Sequence, residues 1–193
     1  MWDRITNTGR GLWVMSTLGG RWPRLLGRDR TAVLFAAVVA LVMMTASALL
    51  EPYLPESPYL IADPTFMQRW VLQWVDMATI VSFALICAQF SSDSRKGLTL
   101  FLGLVYIGVP LGVLLGLIGG AHMAVLHFGL LPVWGGQVIQ FIGGLLSFIL
   151  IASIFRTALG VRALGSLGLT LLLMVCILAA DWSVQYLWIN GAL

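Results

Sequence analysis

Charge is scarce in this sequence. Only 10% of its 193 residues are Asp, Glu, Lys or Arg, against about 25% in an average soluble domain. Hydrophobic residues make up 60% and the mean hydropathy is +0.96. So little charge excludes a water-soluble globular chain, which could not hide that much apolar surface. Lysine is rarer still, since Lys96 is the only one among eleven basic residues, a bias expected of a GC-rich bacterial genome. Cysteine is nearly absent. Cys87 and Cys176 stand far apart, with no CxxC pattern and no neighbouring histidine, which argues against a disulfide scaffold and against a thiolate metal site and leaves two buried free thiols. The two histidines, His122 and His127 in AHMAVLHFG, are five residues apart, on different faces of a helix, with no carboxylate or cysteine beside them. A structural or interfacial role is expected for both. Axial ligation of a haem or pigment by one of them is the alternative.

Enzyme signatures are also missing. There is no GxSxG, HExxH, Walker loop or GxGxxG ahead of a helix, so no catalytic residue, metal site or cofactor is expected. An intramembrane protease would need a Ser/His pair or two apposed aspartates deep in the bilayer. The sequence offers only the distant Asp76 and Asp181, the latter expected near the membrane surface.

What the chain does have is long apolar runs. A helix needs about 20 residues to cross about 30 Å of hydrocarbon, and five segments qualify: 31–50, 70–90, 98–120, 134–155 and 164–183. The expected fold is all-α, a polytopic membrane protein with a five-transmembrane-helix bundle over 31–193 and a basic interfacial segment over 1–30. A barrel is disfavoured, because no segment shows the alternating polarity of barrel strands. Residues 31–45 followed by Ala46-Ser47-Ala48 resemble a signal-peptide core, but the basic region ahead is 30 residues long, and this segment is read as the first span.

Basic residues set the orientation. With the N-terminus in the cytoplasm, Arg4, Arg10, Arg21, Arg24, Arg28, Arg30, Arg95, Lys96, Arg156 and Arg162 all lie inside, and only Arg69 lies outside. The outer connection 51–69 carries Glu51, Glu56, Asp63 and four prolines. Trp70, Trp74, Trp134, Trp182 and Trp188 gather at the same outer boundary, where indoles favour the interface. The expected location is the bacterial inner membrane, multi-pass and N-inside. Within 1–30 the first six of these arginines alternate with Trp2, Trp13, Trp22 and several leucines, while Gly9, Gly11, Gly19, Gly20, Gly27 and Pro23 oppose one continuous helix. An interrupted segment on anionic headgroups is expected, or else a topology signal alone. Its arginines are spread out and tethered to a bilayer, so nucleic acid is not an expected partner.

Two constellations stand out. In RWVLQWVDMATIVSF, Arg69, Gln73 and Asp76 share one helix face by their i, i+4, i+7 spacing, and Asp181 and Gln185 lie at the same outer end of the fifth span. Charge facing lipid is costly, so these five form a candidate polar cluster turned into the bundle, either as a functional site or as a clamp between helices. In LVYIGVPLGVLLGLIGG, Gly108, Gly112, Gly116 and Gly120 form a smooth stripe for close helix approach, with a kink expected at Pro110. The stripe implies a membrane-protein partner or a homo-oligomer.

Tyr106-Ile107-Gly108-Val109-Pro110 in the third span, the linker RTALGVRALG and the basic N-terminal segment resemble bacterial members of the Yip family, the Ypt/Rab-interacting membrane proteins. Residues 95–175 carry most of the likeness. The resemblance implies a non-enzymatic five-helix protein of membrane organisation. The DLYGP-type motif of eukaryotic members is missing, and with it the basis for a GTPase partner. The functional expectation is an accessory or scaffold subunit of a larger membrane assembly. The alternative is a small transporter or channel built on the Asp76 cluster.

Overall fold

In a computed structural model the protein is described over residues 2–18, 20–26, 29–50, 64–91, 93, 95–109, 111, 117 and 133–191. The described residues are helical, without strands. Helices α1 (Trp2–Ser16) and α2 (Trp22–Leu26) form the N-terminal segment. They are followed by α3 (Arg30–Leu50), α4 (Phe66–Gln89), α5 (95–109), α6 (Val133–Leu159) and α7 (Ala163–Ile189).

Four of these, α3, α4, α6 and α7, are long and apolar enough to cross a membrane. Their outward faces fit lipid rather than water: Leu34 is 67% exposed on α3 and Phe141 72% on α6. Contiguous apolar surface on this scale is not carried by soluble monomers. The candidate spans on α3, α4, α6 and α7 fall on four of the five expected segments. The segment expected at 98–120 is helical over 95–109, and its course beyond lies largely outside the described residues. Pro110, Gly112, Gly116 and Gly120 are among those not described, as are His122 and His127.

Local chemistry fixes several ends. Asp29 precedes α3 and its Oδ1 accepts from the Ala32 amide at 3.0 Å. Thr65 and Gln68 form a reciprocal capping box that starts α4 at Phe66, four residues before the apolar run of the expected span. Gly160, at φ +72°, takes the left-handed conformation that ends α6 and lets the chain reverse into α7.

The N-terminal segment is broken between Ser16 and Trp22, where Leu18 sits at φ +59°. Its apolar face enters the bundle: Met15 and Leu26 are buried and Trp22 is 1% exposed. α5 makes the closest contacts. A Cβ on Gly103 would come within 2.6 Å of the Trp22 ring and 2.8 Å of Ile154 Cγ2, and one on Gly97 would overlap Ala88. The Tyr106 hydroxyl donates to the Ala32 carbonyl at 3.5 Å. Phe83 and Phe155 meet edge to face at 5.8 Å. Ala32, Ala88 and Ile154 all lie in the end turns of their helices, so α5 and the N-terminal segment together fill the end of the bundle that carries Arg30, Arg95, Lys96 and Arg156.

Candidate functional site

Antiparallel packing of α4 on α7 builds the polar contact. Asp76 is ten residues into α4 and Asp181 eight residues before the end of α7, which at about 1.5 Å per residue puts them about 15 Å and about 12 Å from those ends. At that level the two carboxyl side chains come within interaction range of each other. The Oδ1 atom of each carboxyl is buried, with no hydrogen-bond donor assigned to it among the described residues. Gln185, one turn beyond Asp181 on the same face, is 2% exposed.

The five residues of the expected cluster therefore divide. Asp76 and Asp181, distant in sequence, are brought together, and Gln185 is buried beside them along α7. Asp181 is also deeper than expected, because α7 continues to Ile189, past the 183 boundary read from hydropathy. Arg69 turns to the backbone instead. Its Nε donates to the Ala48 carbonyl at 3.1 Å and its Nη1 to the Pro64 carbonyl at 2.6 Å, tying the end of α3 to the start of α4. Gln73 is half-buried on the α4 face between them. Trp70 and Trp74 pack edge to face at 5.7 Å beside it, while Trp182 is exposed and Trp188 half-buried on α7. The Trp134 side chain lies outside what is described.

Two neighbouring carboxyls on apolar helices are a pairing suited to proton relay, and the same pairing activates water in aspartyl hydrolysis. Both need a water path. The described cavities are lined by other residues: one by the basic ends of α6 and α7, one by the α7 face that carries Trp182 and Tyr186, and one by Cys87, Lys96 and Leu159. No three His, Cys, Asp or Glu side chains among the described residues are grouped to hold a metal ion. Cys87 and Cys176 are free and half-buried.

Of the glycine stripe, Gly108 is described, and a Cβ added there would meet no described residue within 4 Å; the same holds at Gly144 and Gly168. Among the described glycines, close packing is admitted by Gly97 and Gly103, about three and about one and a half turns earlier in α5, and by Gly11 in α1, where a Cβ would come within 2.8 Å of Leu26. The sequence carried a signal for Gly103, a small residue in an unbroken run of large ones, but nothing local named Trp22 as its partner. Among the six N-terminal arginines, Arg10, Arg21, Arg24 and Arg30 are exposed; Arg28 and the Arg4 side chain lie outside what is described.

The chain matches no family model, no curated protein and no solved structure, so the likeness to the Yip family rests on the quoted residues alone.

Proposed function

We propose that this chain is a non-enzymatic multi-pass protein of the bacterial inner membrane, with five spans and a cytoplasmic N-terminus, serving as an accessory or scaffold subunit of a larger membrane assembly. One observation carries this reading. Asp76, Asp181 and Arg69 join the chain's own helices, Asp76 to Asp181 and Arg69 to the Ala48 and Pro64 carbonyls, whereas a Cβ at Gly108, Gly144 or Gly168 would meet no described residue within 4 Å. Small residues on lipid-facing helices allow another helix to approach closely. The fifth span of this reading begins in α5, and Arg95 and Lys96 at its start favour a cytoplasmic entry by the charge rule for membrane loops. Isolation in mild detergent with stoichiometric membrane partners is the expected outcome. A partner-free monomer from native membranes would sink the scaffold reading.

The Asp76–Asp181 contact favours a second reading, a small transporter that carries protons through this pair. Asp76→Asn separates the two. A scaffold keeps its partners and its stability with asparagine in place, while a proton carrier loses transport in reconstituted vesicles.

A further inference from the structure

A groove of about 550 Å³ runs between α6 and α7 at their basic ends and is closed on one side by the break between α1 and α2. This is within the range of small-ligand sites. Its apolar walls include Leu18, Ile149, Ala152 and Leu167, and Arg156 and Thr157 stand among them. Ile149 and Leu167 are also partly exposed on the outward faces of their helices, 39% and 38%, so the groove is continuous with the surface that faces lipid tails. Arg156, in the last turn of α6, is exposed and its side chain bonds to no described residue. Ala163, in the first turn of α7, lines the same groove, and the N-cap Arg162 makes no side-chain cap bond, which leaves first-turn N–H groups for an outside acceptor.

We propose that this groove is a specific site for one anionic phospholipid of the cytoplasmic leaflet, its phosphate on the Arg156 guanidinium and an acyl chain along Ile149, Ala152 and Leu167. The inference rests on the membrane reading above. Charge complementarity selects the headgroup: a guanidinium without a partner among the described residues, at the end of the bundle where the basic residues gather, binds phosphate through paired N–H donors. The apolar walls select a lipid over a soluble anion, which would leave them unfilled. Basic pockets between membrane helices on the cytoplasmic side take anionic lipid headgroups by this chemistry. Leu18, held in the left-handed region, brings the N-terminal segment against the groove, so an occupied site would also hold that segment to α6 and α7.

The test is thermal unfolding of the detergent-purified full chain during titration with dioleoyl phosphatidylglycerol, dioleoyl phosphatidylcholine or inorganic phosphate. Phosphatidylglycerol alone should raise the Tm, and Arg156→Gln should shift the half-maximal lipid concentration up about tenfold, the effect of losing one charge-assisted contact. Arg95→Gln, which removes an exposed arginine at the start of α5 outside the groove, should leave the titration unchanged. A wild-type titration in Arg156→Gln, or an equal Tm rise from phosphatidylcholine or from phosphate, overturns the site. Should Arg156→Gln fail to fold, Arg156→Lys serves instead, with retained phosphatidylglycerol counted by native mass spectrometry; retention equal to wild type overturns the proposal. Release of the chain from membranes by alkaline carbonate would strike the membrane reading itself, whereas retention without headgroup preference strikes only the lipid site.

Discussion

Replacing Asp76 with alanine removes one side of the α4–α7 contact and leaves the Asp181 carboxyl inside the interface. An interhelical hydrogen bond in a membrane protein is worth about 0.6 kcal/mol on average and at most about 1.7 kcal/mol. Leaving a buried polar partner without its bond adds a desolvation term within a range of about 1–3 kcal/mol. Since the two overlap, Asp76→Ala should lower stability by about 1.5–3 kcal/mol. Asp76→Asn is different. The carboxamide still accepts from a protonated Asp181 or donates to an ionised one, so the loss should stay below about 1 kcal/mol. Reversible unfolding in mixed micelles measures both. A double-mutant cycle of Asp76→Ala with Asp181→Ala should give a coupling of about 1 kcal/mol, well above the roughly 0.3–0.5 kcal/mol scatter of independent sites. Additive losses would mean that the two carboxyls do not touch in the membrane, and an asparagine variant as weak as the alanine one would mean that hydrogen bonding is not what joins the helices.

Other outcomes follow from the packing. Gly103→Val should destabilise the bundle by about 1–3 kcal/mol, because its Cβ would meet the Trp22 ring at 2.6 Å; thermal unfolding that matches wild type would place Trp22 elsewhere. Gly108→Ala should leave the purified chain as stable as wild type yet reduce copurification of partners, and unchanged copurification would remove Gly108 from the contact face. Arg69→Leu deprives the Ala48 and Pro64 carbonyls of their donor and should cost about 1–3 kcal/mol in the same unfolding assay. Span number is testable by parity. In a Cys87→Ser, Cys176→Ser background, Asn190→Cys should react with a membrane-impermeant thiol reagent in intact cells and Asp93→Cys should not. Protection of both positions would favour an even number of crossings.

Several features were legible along the chain because they depend on composition and near neighbours. The apolar runs became α3, α4, α6 and α7 since backbone groups in lipid have few alternatives to a helix. The interruption of the N-terminal segment followed from its glycines and Pro23, although the break falls at 17–21 and α1 runs through Gly9 and Gly11. Helix ends were less legible. Hydropathy marked where apolar residues stop, whereas Thr65 with Gln68 and the extension to Ile189 set where α4 and α7 begin and end. Spacing along α4 put Arg69 on one face with Asp76, but a face shared at two turns' distance does not make a pair. The nearer carbonyls at Ala48 and Pro64 took the guanidinium, and the partner of Asp76 came from 105 residues away.

By itself the sequence determined the solvent this protein is built for, its helical class and the sidedness of its charge, because scarcity of charge, run length and the placement of arginine are properties of the chain read in order. Tertiary structure alone decided which polar groups meet. Asp76 finds Asp181 because α4 and α7 pack antiparallel, and Gly103 accepts Trp22 because the N-terminal segment folds back into the basic end of the bundle. Contacts between residues far apart in sequence depend on how the helices are arranged in space, and no local spacing encodes that arrangement.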